Sequence, residues 1–520
     1  MKKDNTVFIV SLIVVLAIVA FGLLTPDAFS DVAGGVFDFL VGNFGWFYMI
    51  TMTSFVVFSI WIAFSKYGKI KLGKDDSKPE FSLFSWFGML FSAGMGVGLI
   101  FWGVAEPLNH FVYPLVGIEP GSVEAANFAM RKSFLHWGLH PWAAYSVLAM
   151  SLAYMQFRKG KPGLISSIFI PLIGEERARG PIGKSIDILA VFATVTGVAT
   201  SLGMATLQTT SGLGHLFGVA ETDTTRIIVI SVITVLFMIS AVTGIEKGIK
   251  WLSNINVTLC GILIVLVLTV GPTVLIINNF TLNVGGYFQN LIAESFAINV
   301  FSEAQWYGWW TIFYWAWWIA WAPFVGTFIA RISKGRTIKE FVLGVLFAPS
   351  FVGFLWFSVF GTVAISQGLE FGEAAAAVTE TAYFIVMEQI PLGYFISLIT
   401  VVLLTTFFVT SADSATFVLG MMTSEGDLNP SVKRRLTWGL IQSALALSLM
   451  LASADALGML QTASIAAAFP FAFVMIFGMI SLVKALRQDV RGEPMVEGAV
   501  EETTKTGTIA NSNVAEAKIN

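Results

Sequence analysis

Twelve stretches of about twenty predominantly apolar residues recur along this 520-residue chain. Each is long enough to cross the hydrocarbon core of a bilayer as a helix. They lie near 7–24, 45–64, 84–103, 134–155, 186–207, 226–244, 255–277, 308–330, 341–365, 394–419, 436–452 and 464–483. Only 12% of the residues are charged, against 56% hydrophobic, whereas a soluble globular chain carries about 25% charged residues. The mean hydropathy is +0.78. Such a chain cannot cover itself with water-facing side chains, so its surroundings are membrane lipid. The net charge of −3 comes with no basic patch that could neutralise phosphates, which excludes nucleic acid as a partner. The single cysteine, Cys260, sits inside an apolar run and excludes a disulfide framework. The N-terminal run follows a basic start but has no small-x-small cleavage site, which predicts a retained first helix.

The placement of lysine and arginine predicts how the spans are threaded. Lys66, Lys69, Lys71, Lys74 and Lys78 follow the second span, and Arg158, Lys159, Lys161, Arg177, Arg179 and Lys184 follow the fourth. Lys247 and Lys250, then Arg331, Lys334, Arg336 and Lys339, then Lys433, Arg434 and Arg435 mark later even-to-odd connections. The opposite loops 25–44, 278–307, 366–392 and 453–463 have no positive charge, with Arg131, Lys132 and Arg226 as the exceptions elsewhere. Positive charge is retained on the cytoplasmic side. The alternation therefore predicts a multi-pass protein with both termini in the cytoplasm. Two amphipathic stretches, 283–300 and 372–389, are too polar to span, and the polar tail from Gly492 to Asn520 has the composition of a disordered segment.

Four places inside the apolar mass are unsuited to plain membrane helices. In "FSAGMGVGLIFWGVAEPL" (91–108), Gly94, Gly96 and Gly98 fall within five residues. Glycine weakens a helix by roughly 1 kcal/mol relative to alanine, so the segment reads either as a close helix–helix contact or as a broken helix. A break exposes N–H groups and a positive dipole end suited to a carboxylate. In "YWAWWIAWAPF" (314–324), Trp317, Trp321, Phe324 and Phe328 share one helix face, with Trp318 beside it and Trp315 turned away. Interfacial anchoring explains Trp309 and Trp310 but fits Trp321, halfway along its span, badly. The cluster is either a packed aromatic core or a box for a quaternary ammonium, which has no N–H to donate and is held by ring faces at about 0.5–2 kcal/mol each.

The third place, "HWGLHPWAAY" (136–145), puts Trp137, Trp142 and Tyr145 within about 140° on one helix, so they can close the box from a facing span. His136 and His140 at i, i+4 have no acidic or cysteine neighbour in sequence to complete a metal site. The fourth, "TTFFVTSADSATF" (405–417), sets the hydroxyls of Thr410, Ser411, Ser414 and Thr416 at membrane depth beside Asp413, a functional candidate by its cost alone. Those hydroxyls either bond back to their own helix or offer oxygen to a hard cation such as Na⁺.

From about residue 1 to 487 the sequence resembles the betaine/choline/carnitine transporter (BCCT) family, most specifically in "GMGVG", "HWGLHPWAAY", "WTIFYWAWWIAWAPFVGTFIARISKGRTIKEF" and "FFVTSADSATFVLG". Among members it is most similar to glycine betaine carriers of bacteria. The resemblance implies an all-α polytopic fold of twelve transmembrane helices: two inverted five-helix repeats, spans three to seven and eight to twelve, after two extra helices. The expected division is 1–80 for the extra helices and basic loop, 81–280 for the first repeat, 281–307 for an interfacial helix and loop, 308–487 for the second repeat and 488–520 for a disordered acidic cytoplasmic tail. A homotrimer is also implied.

Matched to the family's motifs, the substrate site would comprise Trp137, Trp142, Tyr145, Trp317, Trp318, Trp321 and Phe324. The substrate carboxylate would lie near the backbone of Gly94, Met95, Gly96 and Gly98. One sodium would be held by carbonyls of Ser92, Met95 and Phe407 and by the hydroxyls of Thr410 and Ser411. A second would use Thr194 and Phe324, but the family's second threonine is replaced here by Val198, with Thr200 displaced from the position. Choline carriers tend to place an acid in the glycine segment; its absence favours a zwitterion. Retention of Thr410 and Ser411 favours sodium coupling over the family's sodium-independent exchangers. The acidic tail lacks the basic helix of osmosensing relatives.

The expectation is a sodium-coupled secondary transporter of the plasma membrane that imports glycine betaine or a related compatible solute, with no cofactor beyond the coupling ion. Ectoine or hydroxyectoine, proline betaine, choline and carnitine are alternative substrates, and sodium-independent exchange is an alternative mode. A channel would need a continuous polar pore, yet the polar residues cluster at one depth. An enzyme would need an acid/base or nucleophile constellation, and none of His110, His136, His140 and His215 has a partner in sequence.

Overall fold

The computed structural model describes residues 4–94, 96–243, 246–301 and 305–493; for 91–94, 243 and 246–250 the backbone alone is described. Helices α1 (Thr6–Leu24) and α2 (Pro26–Phe64) lead into the broken pair α3 (Leu83–Gly94) and α4 (Val97–Val112), then a second broken pair, α5 (Val123–Trp137) and α6 (Leu139–Ala153). Short turns α7 (Ile170–Ile173) and α8 (Glu175–Arg179) precede α9 (Pro181–Phe217), α10 (Asp223–Thr243), α11 (Glu246–Val270) and α12 (Thr273–Ser295). The second half opens with α13 (Gln305–Tyr307), a π turn over Gly308–Ile312 and α14 (Phe313–Ile332). It continues through α15 (Ile338–Ile365), the short α16 (Leu369–Ala376) and α17 (Ala382–Met387), then α18 (Gly393–Met422), α19 (Val432–Leu451) and α20 (Ala456–Arg491). Among the described residues, β structure is limited to one isolated bridge, Lys71 to Thr337.

Nine described helices are long and apolar enough to cross a membrane. The other three predicted spans have visible reasons to differ. The runs 84–103 and 134–155 are each split by a break, and α19 opens on Lys433, Arg434 and Arg435. Helix α2 begins at Pro26 rather than near residue 45, because Asp27, Asp31 and Asp38 dilute the apolar signal of its first half without stopping the helix. The amphipathic stretch near 283–300 belongs to α12, which starts at Thr273 and crosses the expected boundary at 280/281. At the other end α20 runs on to Arg491, so residues 488–491 are helical rather than tail. The disordered tail expected beyond them, from residue 494, lies outside the described residues.

The basic loops gather at one end of the bundle. Leu72 N–H donates to the Arg336 carbonyl at 2.8 Å, and Ile338 N–H to Ile70 at 2.9 Å. Arg158 ties the same end together, reaching the Gly73 carbonyl at 3.0 Å, Asp75 at 2.8 Å and Asp489 at 2.6 Å. At the opposite end Lys132 pairs with Glu294, and Ser211 and Thr381 share a hydroxyl hydrogen bond of 2.6 Å.

Helix α14 runs through the middle of this arrangement, packed against α6, α9 and α20. Every residue from Phe313 to Gly326 is buried. Its tryptophans therefore face protein and not lipid, which places the aromatic stripe at the centre of the molecule.

Candidate functional site

The glycine segment is a break. Helix α3 ends at Gly94 and α4 starts at Val97, with Gly96 at φ −125° and ψ −140° and no side-chain cap on the new helix. The first N–H groups of a helix have no intrahelical acceptor, so α4 presents donors and the positive end of its dipole at membrane depth. Glycine is required here for room as well. A Cβ on Gly98 would stand 2.5 Å from Cη2 of Trp317 and 3.1 Å from Cη2 of Trp137. Two indoles, one from each half of the chain, thus converge on the glycine segment. Met95 lies outside the described residues, and of Ser92 and Gly94 only the helical backbone is described.

A second break corrects the sequence reading. Gly138 (φ −88°, ψ −131°) separates α5 from α6, so Trp137 ends one helix while Trp142 and Tyr145 lie on the next. The single helical face expected for the three does not exist. Pro141 falls in the first turn of α6, where a missing N–H costs little, and the phenol of Tyr287 accepts the N–H of Leu139 at 3.1 Å. His136 and His140 are likewise parted: His140 stacks on Trp315 at 4.8 Å, and His136 turns to Glu106.

The predicted aromatic residues nevertheless form one connected chain of rings. Trp142 meets Tyr145 (centroids 5.6 Å apart), which meets Trp318 (6.3 Å). Trp318 touches Trp137 at 4.9 Å and stacks on Trp317 at 4.7 Å; Trp317 reaches Trp321 at 6.2 Å, and Trp321 reaches Phe324 at 5.7 Å. Trp318 packs on both Trp137 and Trp317, which meet edge-on at 6.2 Å. Space opens at the far end of the chain. A cavity there is lined by Trp321 and Phe324 of α14, Val97 of α4, Val198, Ser201 and Leu202 of α9, and Phe408 and Ser411 of α18.

The cavity joins the predicted substrate rings to the predicted ion ligands. Ser411 lines it, and its Oγ lies 3.5 Å from where a Cβ on Gly96 would stand. Thr410 is buried one residue earlier; its hydroxyl donates back toward Thr406 or Phe407 (3.1 Å each) and accepts from Nδ2 of Asn256 at 3.2 Å. Asp413, one turn on, is buried with Oδ1 unpartnered. On α9, Thr194 bonds back to Ala190 at 2.8 Å, and Thr200 turns to the Leu460 carbonyl and to Ser464 on α20. Val198 occupies the cavity wall, so the α9 hydroxyl that lines the cavity belongs to Ser201.

Sequence reasoning missed Ser201 and Asn256, and left a buried acid without a role. Glu106 of α4 is 0% exposed; Oε1 lies 2.6 Å from Nδ1 of His136, while Oε2 accepts from Trp137 Nε1 at 2.8 Å and the Tyr314 hydroxyl at 2.5 Å. The absence of a histidine partner inferred from sequence is thereby corrected. An acid eight residues past Gly98 in an apolar run was the available signal.

A fold of many apolar helices around the buried helix α14, with two interrupted helices beside it and a cavity lined by aromatic and hydroxyl side chains, defines a polytopic membrane transporter. The sequence matches the model described as "BCCT, betaine/carnitine/choline family transporter" over residues 6–491. It is 47% identical over 495 residues to "Glycine betaine transporter OpuD" of Bacillus subtilis, covering 94% of this chain and 96% of that one. It is 44% identical over 499 residues to "Ectoine/hydroxyectoine transporter" of Virgibacillus pantothenticus (95% and 98% covered) and 39% identical over 491 residues to "Glycine betaine transporter" of Acinetobacter baylyi (94% and 74%). The chain belongs to the betaine/carnitine/choline transporter family. These relatives are transporters and not enzymes.

Proposed function

We propose that the protein is a sodium-coupled symporter of the plasma membrane that imports glycine betaine or a closely related compatible solute by alternating access. The observation that carries this reading is the convergence of Trp137 and Trp317 on Gly98, with the cavity of Trp321, Phe324 and Ser411 alongside. A zwitterion with a quaternary ammonium needs both halves of that arrangement. Ring faces attract the cation without a hydrogen bond, and the uncapped start of α4 offers N–H groups to the carboxylate. Sodium would use Thr410, Ser411 and the carbonyls of Ser92, Met95 and Phe407, next to the substrate, with a second ion at Thr194 and Phe324 as the alternative stoichiometry. A charge moving down the membrane potential supplies about 2.3 kcal/mol per 100 mV. Both termini would be cytoplasmic and the working form a homotrimer.

Ectoine is the second reading, favoured by the 44% identity to the Virgibacillus protein named for it; its delocalised cation and carboxylate suit the same two features. Radiolabelled betaine uptake into proteoliposomes, with and without an inward sodium gradient and with ectoine, choline and carnitine as competitors, tests all of this. Uptake that rises with the gradient and is displaced by betaine before the others is expected. Gradient-independent counterflow would replace symport by exchange, and stronger displacement by ectoine would change the substrate.

A further inference from the structure

One ring of the site, Trp137, is tied to a buried acid. Glu106 takes the indole N–H of Trp137 and the hydroxyl of Tyr314 on the same oxygen, at 2.8 and 2.5 Å, and faces Nδ1 of His136 at 2.6 Å with the other. The lengths are those of charge-assisted hydrogen bonds. Thr311 completes the set at 2.9 Å from Nε2 of His136, so with the hydroxyl donating there, the imidazole presents its proton to Glu106. His110, one turn along α4, brings Nε2 to 3.4 Å of Oε1. The nearest basic side chain on the helix that carries His136, Lys132, is paired with Glu294. Among the described residues, the ion pairs of Glu106 are with these two histidines alone, and no lysine or arginine neutralises it.

We propose that Glu106 is a specificity-determining residue that acts through Trp137: a carboxylate whose charge, passed through the indole N–H, makes the aromatic site prefer a cation over a neutral group of the same shape. The inference rests on the reading of the site as one for a quaternary ammonium. Two effects add. An N–H that donates to a carboxylate releases electron density into its ring, which deepens the negative potential on the ring face that attracts cations. The charge itself, unscreened in a low-dielectric interior, attracts positive charge over a longer range. Trp318 supplies the internal contrast, because its N–H goes to the neutral carbonyl of His136 at 3.0 Å.

The test uses glycine betaine and its neutral-headed isostere 3,3-dimethylbutanoate, in which a tert-butyl group replaces the trimethylammonium. Affinities for both are measured on purified full-length protein by tryptophan fluorescence, together with KM and Vmax for betaine uptake. Glu106→Gln should weaken betaine at least tenfold while changing the isostere less than about threefold, and Glu106→Asp should recover most of the preference. Equal weakening of both ligands would reduce Glu106 to a structural hub and overturn the proposal, as would an unchanged ratio. If Glu106→Gln does not fold, Trp137→Phe must lower the betaine-to-isostere ratio more than Trp318→Phe; equal effects of the two exchanges overturn it. Wild-type protein that neither binds nor transports betaine would instead remove the functional reading beneath it.

Discussion

The indole nitrogen of Trp321 donates to the main-chain carbonyl of Gly197 at 2.7 Å, joining α14 to α9 at the wall of the cavity. The hydroxyl of Ser201 reaches the same carbonyl at 3.2 Å. Gly197 has no side chain because none fits: a Cβ there would stand 2.8 Å from Cδ1 of Trp321 and 3.1 Å from Ala320. The ring is therefore fixed in place by a neighbouring backbone.

Replacing Trp321 by leucine removes the ring face and its hydrogen bond together. The loss of one cation–π contact and of the bond that orients it predicts a rise in KM for betaine of about tenfold or more. Membrane insertion should be intact, because leucine is at home in the span. Uptake kinetics on equal amounts of inserted protein check this, and unchanged KM counts against the site.

Gly98→Ala puts a methyl group against Trp317 and Trp137 at once. Overpacking of this kind costs about 1–3 kcal/mol, and here the atoms that must yield are those of the site. Transport should fall by roughly tenfold with the purified yield nearly retained. Ser or Ala at Gly88, where an added Cβ meets nothing within 4 Å, is the matched control.

Thr410→Ala combined with Ser411→Ala strips two hydroxyl oxygens from α18 beside the break. Hard cations depend on such oxygen ligands, so the sodium concentration for half-maximal uptake should rise by roughly an order of magnitude. Betaine binding at saturating sodium should change less. Superimposable sodium titrations for wild type and the double variant would remove the ion site from this position.

Asp489 accepts from Arg158 at 2.6 Å and from Lys159 at 2.5 Å, joining the end of α20 to the loop after α6. Its side chain is 14% exposed, which leaves the pairs partly shielded from water. Asp489→Asn should lower stability by about 1–3 kcal/mol, the range for hydrogen bonds to charged groups. The thermal midpoint in detergent reads it out, and high salt should narrow the gap between variant and wild type.

The long helices were legible because each apolar run matches the bilayer thickness and is bounded by charge; α1, α9, α14 and α18 sit where the runs lie. The break between Gly94 and Val97 announced itself through three clustered glycines. Gly138 was less legible: Pro141 signals an interruption of the ladder nearby, but the break falls three residues earlier, where the N–H of Leu139 is accepted by Tyr287, 148 residues further along the chain. The same limit hid the pairing of Glu106 with His136, separated by 30 residues. The connected rings follow from helix periodicity along α14, but their packing depends on which helices lie opposite. No spacing rule encodes that Trp318 packs on both Trp137 and Trp317 while Trp321 borders a cavity.

The two interrupted helices stand against an uninterrupted one. At Gly96 and at Gly138 one helix ends and the next begins, each without a side-chain cap on the new helix. Helix α14, by contrast, runs unbroken from Phe313 to Ile332, buried from Phe313 to Gly326 and pinned through Trp321. The frame around the cavity is thus lopsided: an interrupted helix supplies Val97 on one flank, and a continuous helix tied to its neighbour's backbone supplies Trp321 and Phe324 on the other.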